Sequence, residues 1–261
     1  MNRYDQIVKN WQSRKVRTAA ELELRLGSFP ILFAYHSGKI ENDEIRYSHT
    51  REVFERGTMA DYTGSMRTLR EQQNQKTCHA LLLGKIVARE PLSIDLIRTV
   101  HRALTEGTYD TRRYAVQGER PGAFKKHDYV TGIREVGSPP EEVEGDLAEL
   151  IGEVNTLGGK APLKAGAYFH ARFENIHPFA AGDGRVGRML LNYWLLLNNY
   201  PPIIIYEEER RTYYDALLAY DEREELDPLT EFLQRETVKT WRRAMEPGGC
   251  APGEDTGFPL L

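Results

Sequence analysis

The run from Arg188 to Leu197, reading Arg-Met-Leu-Leu-Asn-Tyr-Trp-Leu-Leu-Leu, is apolar nearly all the way round. A helix without a polar face has to be enclosed by other elements, so the chain must fold as helices gathered around this one. Helical periodicity elsewhere supplies the surroundings. Leu69 to Ile86, Ile94 to Leu104, Val143 to Asn155, Ala165 to Ile176, Arg211 to about Glu222 and Pro228 to about Met245 all read as helix. In the fourth of these, Ala165, Phe169, Phe173 and Ile176 fall on one apolar face. Cys78 sits in an apolar stretch and reads as packing. Pro201-Pro202 stops the central helix, and Ile203 to Tyr206 is a short extended run. β signal is confined to Phe124 to Val136, where Gly118, Pro121, Gly122 and Gly132 punctuate short runs such as Tyr129-Val130-Thr131; this predicts a hairpin or flap. The expected fold is mainly α, a helical bundle with one small β-hairpin flap.

A chain of 261 residues, 40% of them hydrophobic, can bury about 75% of its unfolded surface. The organisation expected is an N-terminal helical extension over 1–32, a main domain over 33–245 and a mobile tail over 246–261, where Pro247-Gly248-Gly249 and Pro252-Gly253 oppose regular structure. With 35 basic against 39 acidic side chains, the net charge of −4 lacks the basic field of a nucleic-acid binder. The apolar stretches fall short of the ~20 residues a membrane span requires, and Met1 to Gln6 lacks the apolar core of a secretory signal. Two cysteines, Cys78 and Cys250, are too few for a disulfide framework or a cysteine-rich zinc site. A soluble, cytoplasmic protein is expected.

Chemistry concentrates between two core helices, in Ile176-His177-Pro178-Phe179-Ala180-Ala181-Gly182-Asp183-Gly184-Arg185-Val186-Gly187-Arg188. Gly182 and Gly184 permit positive φ and close approach to a ligand, and the helix that follows turns its free amides and positive dipole end toward the loop. Together these make an anion site of the kind that holds phosphates. Arg185 and Arg188 project from one side of the first turn, where a cation is misplaced by about 0.3–1 kcal/mol unless an anion sits nearby. Two readings fit. In one, a phosphate chain or a carboxylate occupies the turn; in the other, Asp183 is an ordinary helix cap and both arginines are solvated. His177 likewise is either a general base for a hydroxyl or a structural histidine beneath the helix. His170, seven residues earlier, lacks the spacing of a metal pair.

The order His-Pro-Phe-x-x-Gly-x-Gly-Arg-x-x-Arg resembles the active-site signature of Fic-domain proteins, HxFx(D/E)GNGRxxR. Six residues are identical: His177, Phe179, Gly182, Gly184, Arg185 and Arg188. The likeness continues through Gly118 to Gly122 with Lys125 to Val130, similar to the family's target-binding flap, and through His170 to Ile176, similar to the helix before the signature. It covers the chain from about Phe33 to Met245. Ser37-Gly38-Lys39-Ile40-Glu41-Asn42 is similar to the (S/T)xxxE(G/N) inhibitory helix of some members, and the four-residue step from Ser37 to Glu41 puts both on one helix face.

The resemblance implies an autoinhibited adenylyltransferase. It would move AMP from ATP, with Mg²⁺ or Mn²⁺, to a Ser, Thr or Tyr hydroxyl of a target protein or of itself. His177 would take the hydroxyl proton, while Gly182, Asp183, Gly184, Arg185 and Arg188 would hold phosphates. Glu41 would block Arg188, and a flap of Lys126, His127, Asp128, Tyr129, Val130, Thr131 and Gly132 would align the target by strand-like pairing. A homodimer is also implied. Two positions depart from the pattern. Ala181 replaces the acidic metal ligand, and a methyl group offers no oxygen donor; Asp183 replaces an asparagine, exchanging an amide donor for a negative acceptor. Asp183 could itself ligate the metal. The departures leave open a de-AMPylating or other phosphate-group-transferring protein, and a catalytically inactive nucleotide-binding module. Restoring the carboxylate with Ala181→Asp is expected to raise Mg²⁺-dependent transfer; equal rates before and after, measured at saturating ATP, would count against a metal at that position.

Overall fold

The helices start from local capping chemistry. In the computed structural model, which describes residues 2–60, 62–130, 137–157 and 160–242, Asn2 Oδ1 accepts the Asp5 amide at 2.8 Å and opens α1 (Arg3–Ser13). Thr18 Oγ1 does the same for α2 (Ala19–Leu26). There follow α3 (Phe29–Glu41), α4 (Tyr47–Arg56), α5 (Met66–Val87), α6 (Ile94–Thr105), α7 (Val143–Leu157), α8 (Pro162–Ile176), α9 (Asp183–Leu197), α10 (Arg210–Arg223) and α11 (Asp227–Trp241). Each helix expected from periodicity forms. The short α4 carries too few apolar residues to announce itself. The central helix begins five residues earlier than its apolar run, at Asp183, because Gly182 (φ +98°) turns the chain into it. The expected tail over 246–261 lies outside the described residues.

The mainly helical expectation holds, and the β-hairpin does not. No strand occurs among the described residues, so Lys126 to Val130, the described part of the expected flap, does not form hairpin strand. Lys126 to Val130 runs as irregular chain, while Thr131 and Gly132 lie outside the described residues. The polar sequence Lys126-His127-Asp128 has no apolar alternation to lay on a core. The segment is instead fixed by side chains: Glu119 Oε1, almost fully buried, accepts from the Lys126 amide (3.0 Å) and from Tyr129 Oη (2.8 Å).

α9 is the axis of the core. It packs against α8, α6, α3 and α5, and its side chains are buried from Arg185 through Leu195. Trp194 Nε1 donates to Pro162 O at the start of α8 (2.9 Å). Asn192 holds the extended run after the helix by both ends of its amide, donating to Ile203 O (2.9 Å) and accepting from Ile203 N (2.6 Å). An aromatic column then ties three elements that are distant in sequence. Trp11 of α1 meets Trp241 of α11 edge-on at 4.9 Å, Trp241 stacks on Phe29 of α3 at 5.9 Å, and Phe29 stacks on Phe33 at 5.9 Å. This column ties α3 to α1 and α11. Trp11→Ala is therefore expected to cost about 3–5 kcal/mol of stability, read as a lower midpoint in urea-induced unfolding.

Candidate functional site

His177 ends α8 in the left-handed conformation (φ 49°), and five residues later Gly182 opens α9. The intervening loop is clamped through a histidine that the sequence did not single out. Phe179 is wholly buried with its ring parallel to that of His101, centroids 3.6 Å apart. His101 Nδ1 accepts the Gly122 amide at 2.8 Å, and its Nε2 lies 3.1 Å from Ala181 O. Burial pushes His101 down to about 3, so it is neutral, with one nitrogen accepting and the other donating.

The two arginines of the first turns are buried rather than solvated. Arg188, 2% exposed, donates from Nη2 to Glu41 Oε1 (2.8 Å) and to Ser37 O (3.0 Å), and from Nε to Ser37 Oγ (3.0 Å). Glu41 is 36% exposed on its outer side. Burial alone would raise the Glu41 carboxyl; Arg188, helped by Arg185, outweighs that and holds it below its ordinary value. Arg185 pairs with a different carboxylate, Glu71 of α5, at 3.3 Å, both side chains nearly buried. Glu71 also accepts from Arg67 Nε (3.2 Å) and from Asn42 Nδ2 (2.9 Å), which caps the C-terminus of α3. Nothing local in the sequence marks Glu71: it is one acid on a long helix. Gly184 lies within α9 without positive φ. Its missing side chain matters for space, since a Cβ there would stand 2.5 Å from Glu41 Oε1.

His177 is 18% exposed, with Nε2 3.1 Å from Asp183 Oδ2. Asp183 is 1% exposed, and its Oδ1 accepts the Phe179 amide at 2.9 Å. Burial pushes its carboxyl up, opposed by His177, by the Phe179 amide and by Lys125. A cavity of about 630 Å³ runs past His177, Asp183, Arg185, Glu41, Glu71 and Tyr129. Val130, 73% exposed, stands at its rim. The structure thus gathers His177, Gly182 to Arg185, Glu41 and the Tyr129–Val130 end of the flap segment around one space, with Arg188 and Ser37 behind Glu41. His127 points elsewhere, 3.2 Å from Gln117 O.

The donor set does not fit a resident divalent ion. Ala181 offers no oxygen, Asp183 is turned toward Phe179 and His177, and no cluster of three or more His, Cys, Asp and Glu side chains is placed to hold a metal among the described residues. Cys78 is buried, and its thiol is pushed up to about 12 by that burial, which suits packing. No helix among the described residues is long and apolar enough to cross a membrane.

The chain is similar to several known proteins in sequence and fold. The Fic/DOC family matches residues 91–195. Protein adenylyltransferase fic-1 of Caenorhabditis briggsae is 27% identical over 190 residues, which cover 71% of this chain and 36% of that protein. The chain thus spans about a third of the length of this relative. A Fic-domain-containing signaling protein from Bacteroides thetaiotaomicron superposes with a TM-score of 0.78 at 22% identity, covering 93% of this chain and 95% of the other. For Fic-1 of Caenorhabditis elegans the values are 0.76 and 23%, with 92% and 69% covered. At these identities the two structures attest the fold.

Behind Arg188, Glu174 of α8 lies with Oε1 3.8 Å from His170 Nδ1. Burial pushes Glu174 from 4.5 up to about 8, with Arg188 opposing. The folded state therefore keeps a proton that the unfolded chain has released between those two values, and stability should fall as pH rises through that window. Glu174→Gln is expected to remove up to about 1.4 kcal/mol per pH unit of that slope. Urea titrations of both proteins from pH 5 to 8 would test this; parallel stability curves would refute it.

Proposed function

From a chain whose residues 91–195 match the Fic/DOC family, we propose an autoinhibited protein adenylyltransferase. It transfers AMP from ATP to a Ser, Thr or Tyr hydroxyl of a target protein or of the enzyme itself. The observation that carries this reading is the contact of Arg188 with Glu41 and Ser37 at the start of α9, beside a cavity lined by His177 and Arg185.

The chemistry follows from the positions of the groups. The hydroxyl oxygen attacks the α-phosphorus of ATP, the bond from that phosphorus to the bridging oxygen breaks, and pyrophosphate leaves. His177 accepts the hydroxyl proton. The unpaired amides in the first turn of α9, at Gly184 and Arg185, and the Arg185 guanidinium face developing phosphate charge. Arg188 takes the terminal phosphate once Glu41 is displaced, because a carboxylate and a phosphate compete for one guanidinium. Glu41 suits that exchange: one side is open to the cavity while its partner is buried. Arg185 must part from Glu71 in the same way. No step is routed through a metal held by the chain. The exposed Val130 and the Tyr129 beside it supply the surface that a target segment meets.

One observation favours a second reading, a nucleotide-binding module without transfer: Ala181 offers no oxygen to a metal, and the Asp183 carboxylate is turned inward to Phe179 and His177. Intact-mass analysis after incubation with ATP and Mg²⁺ or Mn²⁺ separates the two. Glu41→Gly is expected to gain one AMP at a rate about tenfold or more above the parent, the equivalent of freeing about 1.4 kcal/mol, and Glu41→Gly with His177→Ala to gain none. Absence of any gain, with ATP binding retained in calorimetry, would establish the binding module; release of AMP from a pre-modified protein would establish the reverse reaction.

A further inference from the structure

Arg185 is held by a carboxylate that belongs to a different element from Glu41. Glu71 of α5 stands with Oε1 3.3 Å from Arg185 Nη1, the two side chains being 5% and 7% exposed. Both line the cavity that His177 also lines. The contact leaves the arginine incompletely satisfied. Its Nε is buried without a hydrogen-bond partner, so one donor of the guanidinium still lacks an acceptor. Glu71, by contrast, has further partners: Oε2 accepts from Asn42 Nδ2 (2.9 Å) and Oε1 from Arg67 Nε (3.2 Å). Asn42 is itself fixed. Its amide caps α3 on Gly38 O (2.9 Å), Nδ2 also reaches Thr68 Oγ1 (3.1 Å), and Oδ1 accepts from the Glu44 amide (3.0 Å). When Arg185 turns away, the Glu71 carboxylate therefore keeps a cation and an amide, and it is not left as an unpaired buried charge.

We propose that Glu71 is a second inhibitory carboxylate, separate from Glu41: it occupies Arg185 in the resting protein and must yield that guanidinium to the phosphates of ATP. Carboxylate and phosphate oxygens are alternatives at one guanidinium fork, and the unfilled Nε favours the ligand that brings more acceptors. The two carboxylates differ in how they are carried. Glu41 lies in the last turn of α3 with its outer side open, so a movement of that turn withdraws it from Arg188. Glu71 stands in the second turn of α5, a helix of 22 residues packed against α3, α4, α6 and α9. The backbone there is fixed from several sides, and Arg185 is released by exchange of side-chain partners when the nucleotide arrives. Removing Glu41 thus lifts one of two restraints: Arg188 is freed and Arg185 is not. This regulation belongs to the site described above and rests on the phosphate-holding role given there to Arg185.

The test measures ATP affinity by calorimetry on the full chain in the Glu41→Gly background, adding either Glu71→Gln or Glu44→Gln. Glu71→Gln keeps an oxygen for Asn42 and removes the charge that holds Arg185. Glu44 lines the same cavity, but its carboxylate accepts from Thr68 Oγ1 (2.8 Å), so Glu44→Gln removes an equal charge without touching the pair. Glu71→Gln is expected to lower the Kd for ATP about tenfold, and Glu44→Gln to lower it about twofold or less. Equal gains in the two variants overturn the proposal in favour of a general relief of negative charge. Unchanged or weaker binding in Glu71→Gln overturns it in favour of a support that aims Arg185 at the phosphates. Thermal unfolding of each variant accompanies the titrations. If Glu71→Gln does not fold, Glu71→Asp decides: it keeps a charge for Arg67 but draws the carboxylate back from Arg185 by one methylene, and it should tighten ATP binding several-fold; no tightening overturns the proposal. Binding is read without transfer, so the two readings fail separately. A gain in affinity with no AMP transferred removes the adenylyltransferase and keeps the second restraint, whereas transfer with no gain does the reverse. If no variant binds ATP, both fail.

Discussion

Two guanidiniums buried at the positive end of one helix constrain the whole arrangement. Arg185 and Arg188 stand in the first turns of α9, where the helix dipole opposes a cation, and both are nearly buried. Each must find an anion nearby, and an unpaired buried charge there would cost about 3–5 kcal/mol. The C-terminal turn of α3 has the complementary defect, an acidic residue at the negative end of its own helix. Docking Glu41 on Arg188 and Glu71 on Arg185 resolves both. Asn42 joins the two contacts, since it caps α3 and donates to Glu71.

Such pairs are poor sources of net stability, because the desolvation of both ions offsets most of their attraction. In the proposed function their value is that they can be exchanged. Packing holds the arginines in place, and Glu41 holds Arg188 charged against the cost of its burial, while Glu41 stays open to the cavity on its outer face. Under the proposed function, an incoming phosphate replaces a carboxylate without rebuilding the core beneath it.

The loop between α8 and α9 contains a contrast between two histidines. His101 is fully buried, stacked on Phe179, satisfied at both ring nitrogens and held neutral by burial. It fixes the backbone at Ala181. His177 lies at the edge of the cavity, partly exposed, with a carboxylate for a neighbour. The first gives the second a rigid frame. Sequence reasoning weighed a structural against a chemical role for His177, but could not see that a different histidine, His101, clamps the loop.

The helices, the core position of the Arg188–Leu197 run and the loop at its start were legible in the sequence, because periodicity of apolar residues and glycine placement are local signals. The resemblance carried by His177, Phe179, Gly182, Gly184, Arg185 and Arg188 pointed to Ser37 and Glu41 as well. What only the tertiary structure decided were the partners. Arg188 meets Ser37 across 151 positions and Arg185 meets Glu71 from another helix, Asp183 turns inward to Phe179 and His177, and Glu119 holds the segment that was expected to pair as a hairpin. The physical reason is common to all four. A buried charged or polar group is satisfied by whatever complementary group the packing brings within hydrogen-bond reach, and that is a property of distance in space, to which spacing along the chain carries no local signal.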